Sequence, residues 1–338
     1  MRHKFLFQTR NGNPGIFFAL LLLKLIVSGC VEPQPKIFRV GILCGLNVFA
    51  PTVDGFRAKM AELGYLEGKN IIYDVQQTNF DQTAEERILR KFVADKVDLL
   101  LAFPSEVSVA AKAVTQGTNI PVVFCQTNIE GTDLIKSVPE PGGNITGVRY
   151  PGPDLALKRF EILHELAPQA KRLWVPYAKN SPIVADQLAV LRPAAAEAGV
   201  ALVEVPADNA ADLLADLARR AKAADIGIDA VLFISEPLAR TPAVFMAIGE
   251  FADQHRIPVG GVLYSIEGFS TVFGVATDNL AVGKLAAQQA HKVLKGIPAG
   301  TIPVVSAESY FQLNYKIARE LGLAVPEGLL RQADEIIR

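Results

Sequence analysis

Cysteine is scarce in this chain. Three in 338 residues are too few for a disulfide-built fold or a four-cysteine metal site. An excess of one charge is missing too. The 34 basic and 35 acidic residues leave a net charge of -1, without the basic surplus or stripe of a nucleic-acid-binding protein. The four histidines show no metal-ligand spacing, since His3 lies near the start and His164, His255 and His291 fall far apart in helical segments. They read as surface or capping residues. No apolar run approaches the roughly 20 residues of a spanning helix. Neither G-x-G-x-x-G nor G-x-x-x-x-G-K-[ST] follows a strand, Gly41 and Gly45 have the wrong spacing for either, and no G-x-S-x-G elbow is present. The sequence therefore offers no nucleophile–base pair for an enzyme and calls for no cofactor and no metal.

What the chain has is apolar content, 50% of its residues, and a mean hydropathy of +0.25, high for a soluble protein. Part of the cause is the start. Arg2, Lys4 and Arg10 precede an unbroken apolar run from Ile16 to Leu23, and after Lys24 the segment closes on Leu25-Ile26-Val27-Ser28-Gly29-Cys30. A charged start, a short apolar stretch and small residues before a cut point predict an export signal over residues 1–29. Its end resembles the lipobox of bacterial lipoproteins, in which the cysteine becomes lipidated and is the new N-terminus. Val27 stands where that pattern favours leucine. The resemblance implies lipidation at Cys30; the plainer reading is a nearby cut with Cys30 an ordinary residue. Val31-Glu32-Pro33-Gln34-Pro35 reads as a tether over 30–36.

From Ile37 onward strand and helix signals alternate. Strands are expected at Phe38 to Leu43, Ile71 to Val75, Val97 to Ala102, Ile120 to Phe124 and Ile145 to Val148, with helices at Asp54 to Leu63, Thr83 to Ala94 and Val107 to Val114. Such alternation, with fully apolar strands, predicts an α/β fold whose parallel sheet is covered by helices on both faces. The second half repeats the first. Asp98, an apolar run and Ser105-Glu106, followed by Ile120-Pro121-Val122, return as Asp229, an apolar run and Ser235-Glu236, followed by Ile257-Pro258-Val259. Upstream, Ala61-Glu62-Leu63-Gly64 is matched by Ala196-Glu197-Ala198-Gly199. A repeat of about 130 residues is domain-sized, so it predicts two doubly wound lobes.

Open sheets bind ligands outside the carboxyl ends of their strands. The loops there should begin near Gly45, Phe103, Cys125, Pro176, Ile234 and Gly261. The candidate ligand-binding residues are accordingly Asn47, Phe103, Ser105, Thr127, Asn128, Tyr177, Ser181, Ser235, Glu236 and Tyr264, with Gln126, Asn180 and Ser265 on the same loops. Short polar and aromatic groups on rigid strand ends orient a small polar ligand, although loop residues are also polar because they meet water. Asp278, ahead of a helix expected from Leu280 to Leu294, either caps that helix or reaches a cationic ligand group. Cys44 and Cys125 fall at strand ends one and four. In a 2-1-3-4-5 order strand three separates them by about 10 Å, beyond the roughly 7 Å limit of a disulfide, so both are expected to be free and buried.

Several phrases together resemble a known family: Ala61-Glu62-Leu63-Gly64-Tyr65 with Glu67-Gly68-Lys69-Asn70, Lys91-Phe92-Val93-Ala94-Asp95-Lys96-Val97-Asp98, Pro141-Gly142-Gly143-Asn144-Ile145-Thr146-Gly147-Val148, Val293-Leu294-Lys295-Gly296, Ile302-Pro303-Val304, Leu313-Asn314-Tyr315-Lys316-Ile317-Ala318 and Leu321-Gly322-Leu323-Ala324-Val325-Pro326. They resemble the ABC-transporter substrate-binding proteins of the tryptophan/tyrosine-uptake type, and the likeness runs from about Arg39 to Arg331. The resemblance implies a type I periplasmic-binding fold of two lobes joined by a hinge, residues 37–148 with a returning segment near 279–300, and residues 149–278 with 301–338. It implies a non-enzymatic receptor, monomeric and extracytoplasmic, held to a membrane by lipid and delivering a small molecule to an ABC permease in the cytoplasmic membrane. The ligand class is a small polar molecule, an amino acid or an aromatic amino-acid-like compound among the candidates. Glu236 holds the place of a family Asp and Asp278 that of a second family acid, both suited to an ammonium. Asn279 replaces a family Tyr, and Asn128 stands near a family Asp-Pro. The alternative is an exported sensor domain that reports its ligand to a membrane partner.

Overall fold

The computed structural model describes Met1 and residues 36–338 apart from Phe80, Pro182, Pro237 and Glu267. The leader and Cys30 lie outside the described residues. Strand β1 (Phe38–Cys44) leads through a 3-10 turn to helix α1 (Ala50–Glu62), followed by β2 (Ile71–Gln77), α2 (Gln82–Ala94), β3 (Leu99–Phe103), α3 (Ser105–Thr115), β4 (Val122–Thr127) and β5 (Ile145–Arg149). The second half runs α4 (Gly152–Leu166), β6 (Arg172–Ala178), α5 (Val184–Glu197), β7 (Ala201–Ala207), α6 (Ala210–Ala221), β8 (Ala230–Leu232), α7 (Pro242–His255), β9 (Val259–Gly261), the hairpin β10 (Ser265–Ile266) and β11 (Phe269–Ser270), and β12 (Phe273–Thr277). Helix α8 (Asn279–Leu294), β13 (Val305–Ser306), β14 (Ser309–Asn314), α9 (Tyr315–Glu320), α10 (Glu327–Gln332) and β15 (Glu335–Ile337) complete it. Helix α1 starts before the expected Asp54 because Pro51 is accommodated in the first turn, where no N–H is needed.

Two sheets result. The first has the order β2-β1-β3-β4-β5-β13 and is parallel throughout. The second has the order β7-β6-β8-β9-β12-β14-β15, with β14 antiparallel to β12. The first five strands of each share one order, which is the repeat seen in the sequence. Its repeated aspartate performs one task twice. Asp98 exchanges backbone and carboxylate bonds with Arg39 (2.7 and 2.8 Å), and Asp229 does the same with Arg172 (both 2.8 Å). Each holds the start of its sheet's third strand beside the first.

Every residue of β3 and β4 is buried, whereas the edge strands β2 and β7 are half exposed, as helices on both faces require. Four apolar clusters lie on the two faces of the two sheets. Cys44 and Cys125 are free and buried within the first, with β3 between β1 and β4.

The chain passes between the sheets after β5, after β12 and after β13. Val305–Ser306 still pairs with β5, so the return to the second sheet comes at Ser309 rather than near residue 301. Helix α8 leaves the second sheet and packs on α1 of the first. Backbone touches backbone there: a Cβ on Gly55 would lie 2.1 Å from the Leu280 carbonyl oxygen, and one on Gly283 2.0 Å from that of Thr52. Only glycine fits this crossing. Both sheets belong to one contact-defined unit, Phe38–Arg338.

Candidate ligand site

The carboxyl ends of the two sheets meet at the crossings. Gln126, near the end of β4, has φ of 49°, a left-handed conformation costing a non-glycine residue about 1 kcal/mol. Pairing of β4 with β5 shifts register there, between Phe124 and Thr127. The conformation lets its amide span both halves. Its Nε2 donates to Asn279 Oδ1 (2.6 Å), while its Oε1 accepts from the Thr277 hydroxyl (3.0 Å). Asn279 in turn donates to the Val48 carbonyl (3.0 Å). The first crossing is as tight: a Cβ on Gly152 would lie 2.3 Å from Asn128 Oδ1.

A second network centres on Arg159, a single charged residue on the buried stripe Leu155, Ala156, Phe160 and Leu163 of α4. It is 1% exposed. Its Nε and Nη2 donate to the Val275 carbonyl (2.8 and 2.6 Å), Nη1 to Ser235 Oγ (2.8 Å), and Nη2 also to Tyr150 Oη (3.0 Å). The two hydroxyls lie 3.0 Å apart. Gln187 braces Ser235, donating to its carbonyl (2.9 Å) and accepting from its N–H (2.8 Å). Arg240 lies nearby, its Nε donating to the Glu236 carbonyl (3.0 Å). Desolvation pushes its pKa down, opposed by Tyr150, Glu236 and Tyr264 and reinforced by the like charge of Arg159. It keeps an accessible face.

Among the residues expected from sequence, Ser105, Thr127 and Asn128 form one buried group: Ser105 Oγ accepts from the Asn128 N–H (3.0 Å), and the Thr127 hydroxyl meets Ser108 (2.8 Å) and the Cys125 carbonyl (2.7 Å). Ser235 joins Arg159. Tyr264, half-buried, packs edge-on to Phe245 at 4.6 Å. Other candidates are engaged elsewhere. The Tyr177 hydroxyl donates to Glu204 (3.1 Å), itself held by Arg192. Phe103 is core, edge-on to Phe49 at 6.3 Å. Asn47 is exposed in the 3-10 turn and Ser181 half-buried in the turn after β6. Glu236 is buried with its carboxylate already accepting the N–H groups of Ala178 (3.1 Å), Leu238 (2.9 Å) and Ala239 (2.7 Å). Burial pushes its pKa up, and those bonds only partly offset the rise. Asp278 accepts the Leu280 N–H (2.8 Å) as the cap of α8.

Sequence reading passed over Tyr150, Arg159, Gln187 and Arg240. An arginine inside an apolar helical stripe was the available signal for Arg159. Among the described residues no group of three His, Cys, Asp or Glu could hold a metal ion, and no helix is long and apolar enough to cross a membrane.

Two doubly wound sheets of one order, meeting at polar strand ends, define a type I periplasmic-binding fold. A conserved domain protein from Vibrio cholerae superposes with a TM-score of 0.76 at 24% identity, covering 89% of this chain and 100% of its own. A Streptococcus pneumonia ABC domain solved with L-Trp gives 0.75 at 21%, covering 89% and 100%. A tyrosine-binding protein of Clostridioides difficile (strain R20291) is 27% identical over 262 residues, 75% of this chain and 71% of that one. The profile of the ABC transporter substrate binding proteins matches residues 47–337. The chain belongs to that family, and it is an extracytoplasmic substrate-binding protein of an ABC transporter.

Proposed function

We propose that the protein captures a small polar molecule between two lobes and hands it to an ABC permease in the cytoplasmic membrane. The observation that carries this reading is the presence of polar side chains from both sheets beside two of the three points where the chain crosses between them. A ligand held there touches both halves and biases their relative position, as hinge closure requires. The lobes are residues 37–148 with 279–306, and 149–278 with 309–338. Asn47, Ser105, Asn128, Ser235 and Tyr264 form the rim, and relatives named for tyrosine or solved with L-Trp support an amino acid or a related aromatic compound as one candidate class. The chain acts as a monomer, without catalysis, and lipid on Cys30 holds it to the membrane.

A thermal-shift screen of the purified protein against amino acids, nucleosides, sugars and small organic acids tests the reading. A true ligand at a hundred times its Kd stabilises the folded state by about 2.7 kcal/mol. A screen without any shift, together with unaltered solute uptake in cells lacking the protein, overturns it. In the same preparation Cys30→Ser moves the protein from the membrane to the soluble fraction; unchanged partitioning removes the anchor from the proposal.

A further inference from the structure

Buried charges are normally paired, because an isolated one loses several kcal/mol of hydration. The region around Ser235 departs from this rule. Arg159 is fully buried and contacts only neutral oxygens. Arg240 is tied to the same turn, its Nε donating to the carbonyl of Glu236, the residue after Ser235 (3.0 Å), and its Nη groups have no hydrogen-bond partner among the described residues. No described carboxylate forms an ion pair with either. Glu236, whose carbonyl holds Arg240, has three backbone N–H groups on its carboxylate. Asp278 caps α8, and its charge acts on Tyr310 of the neighbouring strand β14.

The hydroxyls complete the pattern. Tyr150 Oη and Ser235 Oγ both accept from Arg159 and stand 3.0 Å apart. With the Ser235 hydroxyl donating to Tyr150 Oη, the Tyr150 hydrogen is free to point outward. Tyr150 is half-buried and so is Arg240. Together they present one O–H and up to four guanidinium N–H donors, with Arg159 as a second positive charge behind them. This set is built for an anion that accepts several bonds in one plane.

We propose that Arg240 and Tyr150 receive a carboxylate of the ligand, that Arg159 positions Tyr150 and Ser235 and supplies a second positive charge, and that the site thereby selects a small carboxylic acid of net negative charge over its zwitterionic amino-acid analogue. The proposal rests on the substrate-binding reading above and refines its ligand class. An amino acid carries the same carboxylate, but its ammonium would enter a region of two cations with no unoccupied acid among the described residues. The net charge of the ligand thus becomes the quantity the site measures. A sugar or another neutral ligand would leave both cations uncompensated.

The test is calorimetric titration of the purified full chain with matched probes: 4-hydroxyphenyllactate, L-tyrosine and tyrosol, and lactate, L-alanine and propane-1,2-diol. In at least one set the acid should bind about tenfold or more tighter than both analogues. Arg240→Gln should weaken the acid by about tenfold to a hundredfold and lower the ratio of acid to neutral affinity; an unaltered ratio overturns the proposal. Arg159→Gln should reduce the ratio of acid to neutral affinity, and Arg159→Lys should restore part of it, which loss of packing alone would not do. Should the Arg159 variants fail to fold, Arg240→Gln and the weakening of acid binding with added salt still decide the matter. An amino acid binding as tightly as its acid analogue, or a neutral probe binding best, overturns the proposal and leaves the substrate-binding reading standing. If none of the probes and no member of the wider screen binds, and solute uptake is unaltered in cells lacking the protein, both fall.

Discussion

The two sheets begin from one repeated phrase and end in different chemistry. At the first, Ser105 opens α3 and receives the Asn128 N–H, while Glu106 is exposed to water. At the second, Ser235 receives a buried arginine, and Glu236 turns inward to accept three backbone N–H groups. The phrase is the same, as are the strand order and the aspartate that ties strand three to strand one. Duplication preserved what the backbone needs. It left free what projects from the strand ends, so Ser105 meets neutral polar groups while Ser235 stands with two arginines that form no ion pair among the described residues.

The comparison breaks most severely at the crossing of α1 and α8, which completes only the first half. Gly283→Val would drive a side chain into the Thr52 carbonyl, at a cost of about 3 kcal/mol or more. Trp174, the only tryptophan, is buried in the second half, bonded to Asp216 at 2.9 Å. Hydrogen exchange should show lost protection in β1, α1 and α8 while Trp174 fluorescence stays native. A coincident change in both signals would mean that the halves do not melt separately.

Next in size is the divergent glutamate. Glu236→Gln replaces an acceptor by an amide donor facing backbone N–H groups and should cost about 2 kcal/mol in chemical denaturation, whereas Glu106→Gln should stay within about 0.5 kcal/mol. The pH dependence carries a sign. Because burial raises the folded pKa of Glu236 above its ordinary 4.5, its contribution is greatest below 4.5 and is lost as pH rises through the folded value. The Gln variant should lack that decline; an identical slope in both proteins would contradict the buried carboxylate.

The smallest effect falls on the shared aspartates. Asp98→Ala and Asp229→Ala should each cost about 1 kcal/mol. For Asp229, burial raises the pKa, but Arg172 and two backbone N–H groups outweigh it and hold the carboxyl below its ordinary 3.8. Its stabilisation is present above 3.8 and lost as pH falls through the folded value, opposite in sign to Glu236. A neutral result at either position in urea titrations would mean that the repeated residue no longer does the repeated work.

Much of the fold was legible because parallel strands buried on both faces must be apolar along their whole length, and Leu99 to Phe103 or Val122 to Phe124 cannot be mistaken. The 2-1-3-4-5 order came from the doubly wound class rather than from any residue, and the observed sheet has it, with β3 between the strands of Cys44 and Cys125. The site was legible only in part. Ser105, Asn128 and Ser235 lie at strand ends by register alone, and the structure brings them into networks. Tyr177 and Glu236 fall at strand ends as well, but the one turns to Glu204 and the other to backbone N–H groups. Sequence position does not tell which way a side chain is spent.

Sequence alone determined the family and the repeat, because these follow from local phrases and their recurrence. Only the tertiary structure decided that Arg159 reaches Tyr150 and Ser235 and that Arg240 holds the carbonyl of the next residue, Glu236. The two arginines come from a helix of the first crossing and a turn after β8, more than eighty residues apart. A long side chain on an apolar stripe can reach water, a carboxylate or a carbonyl. The packing of α4 against β12 is what leaves Arg159 buried with neutral oxygens for company.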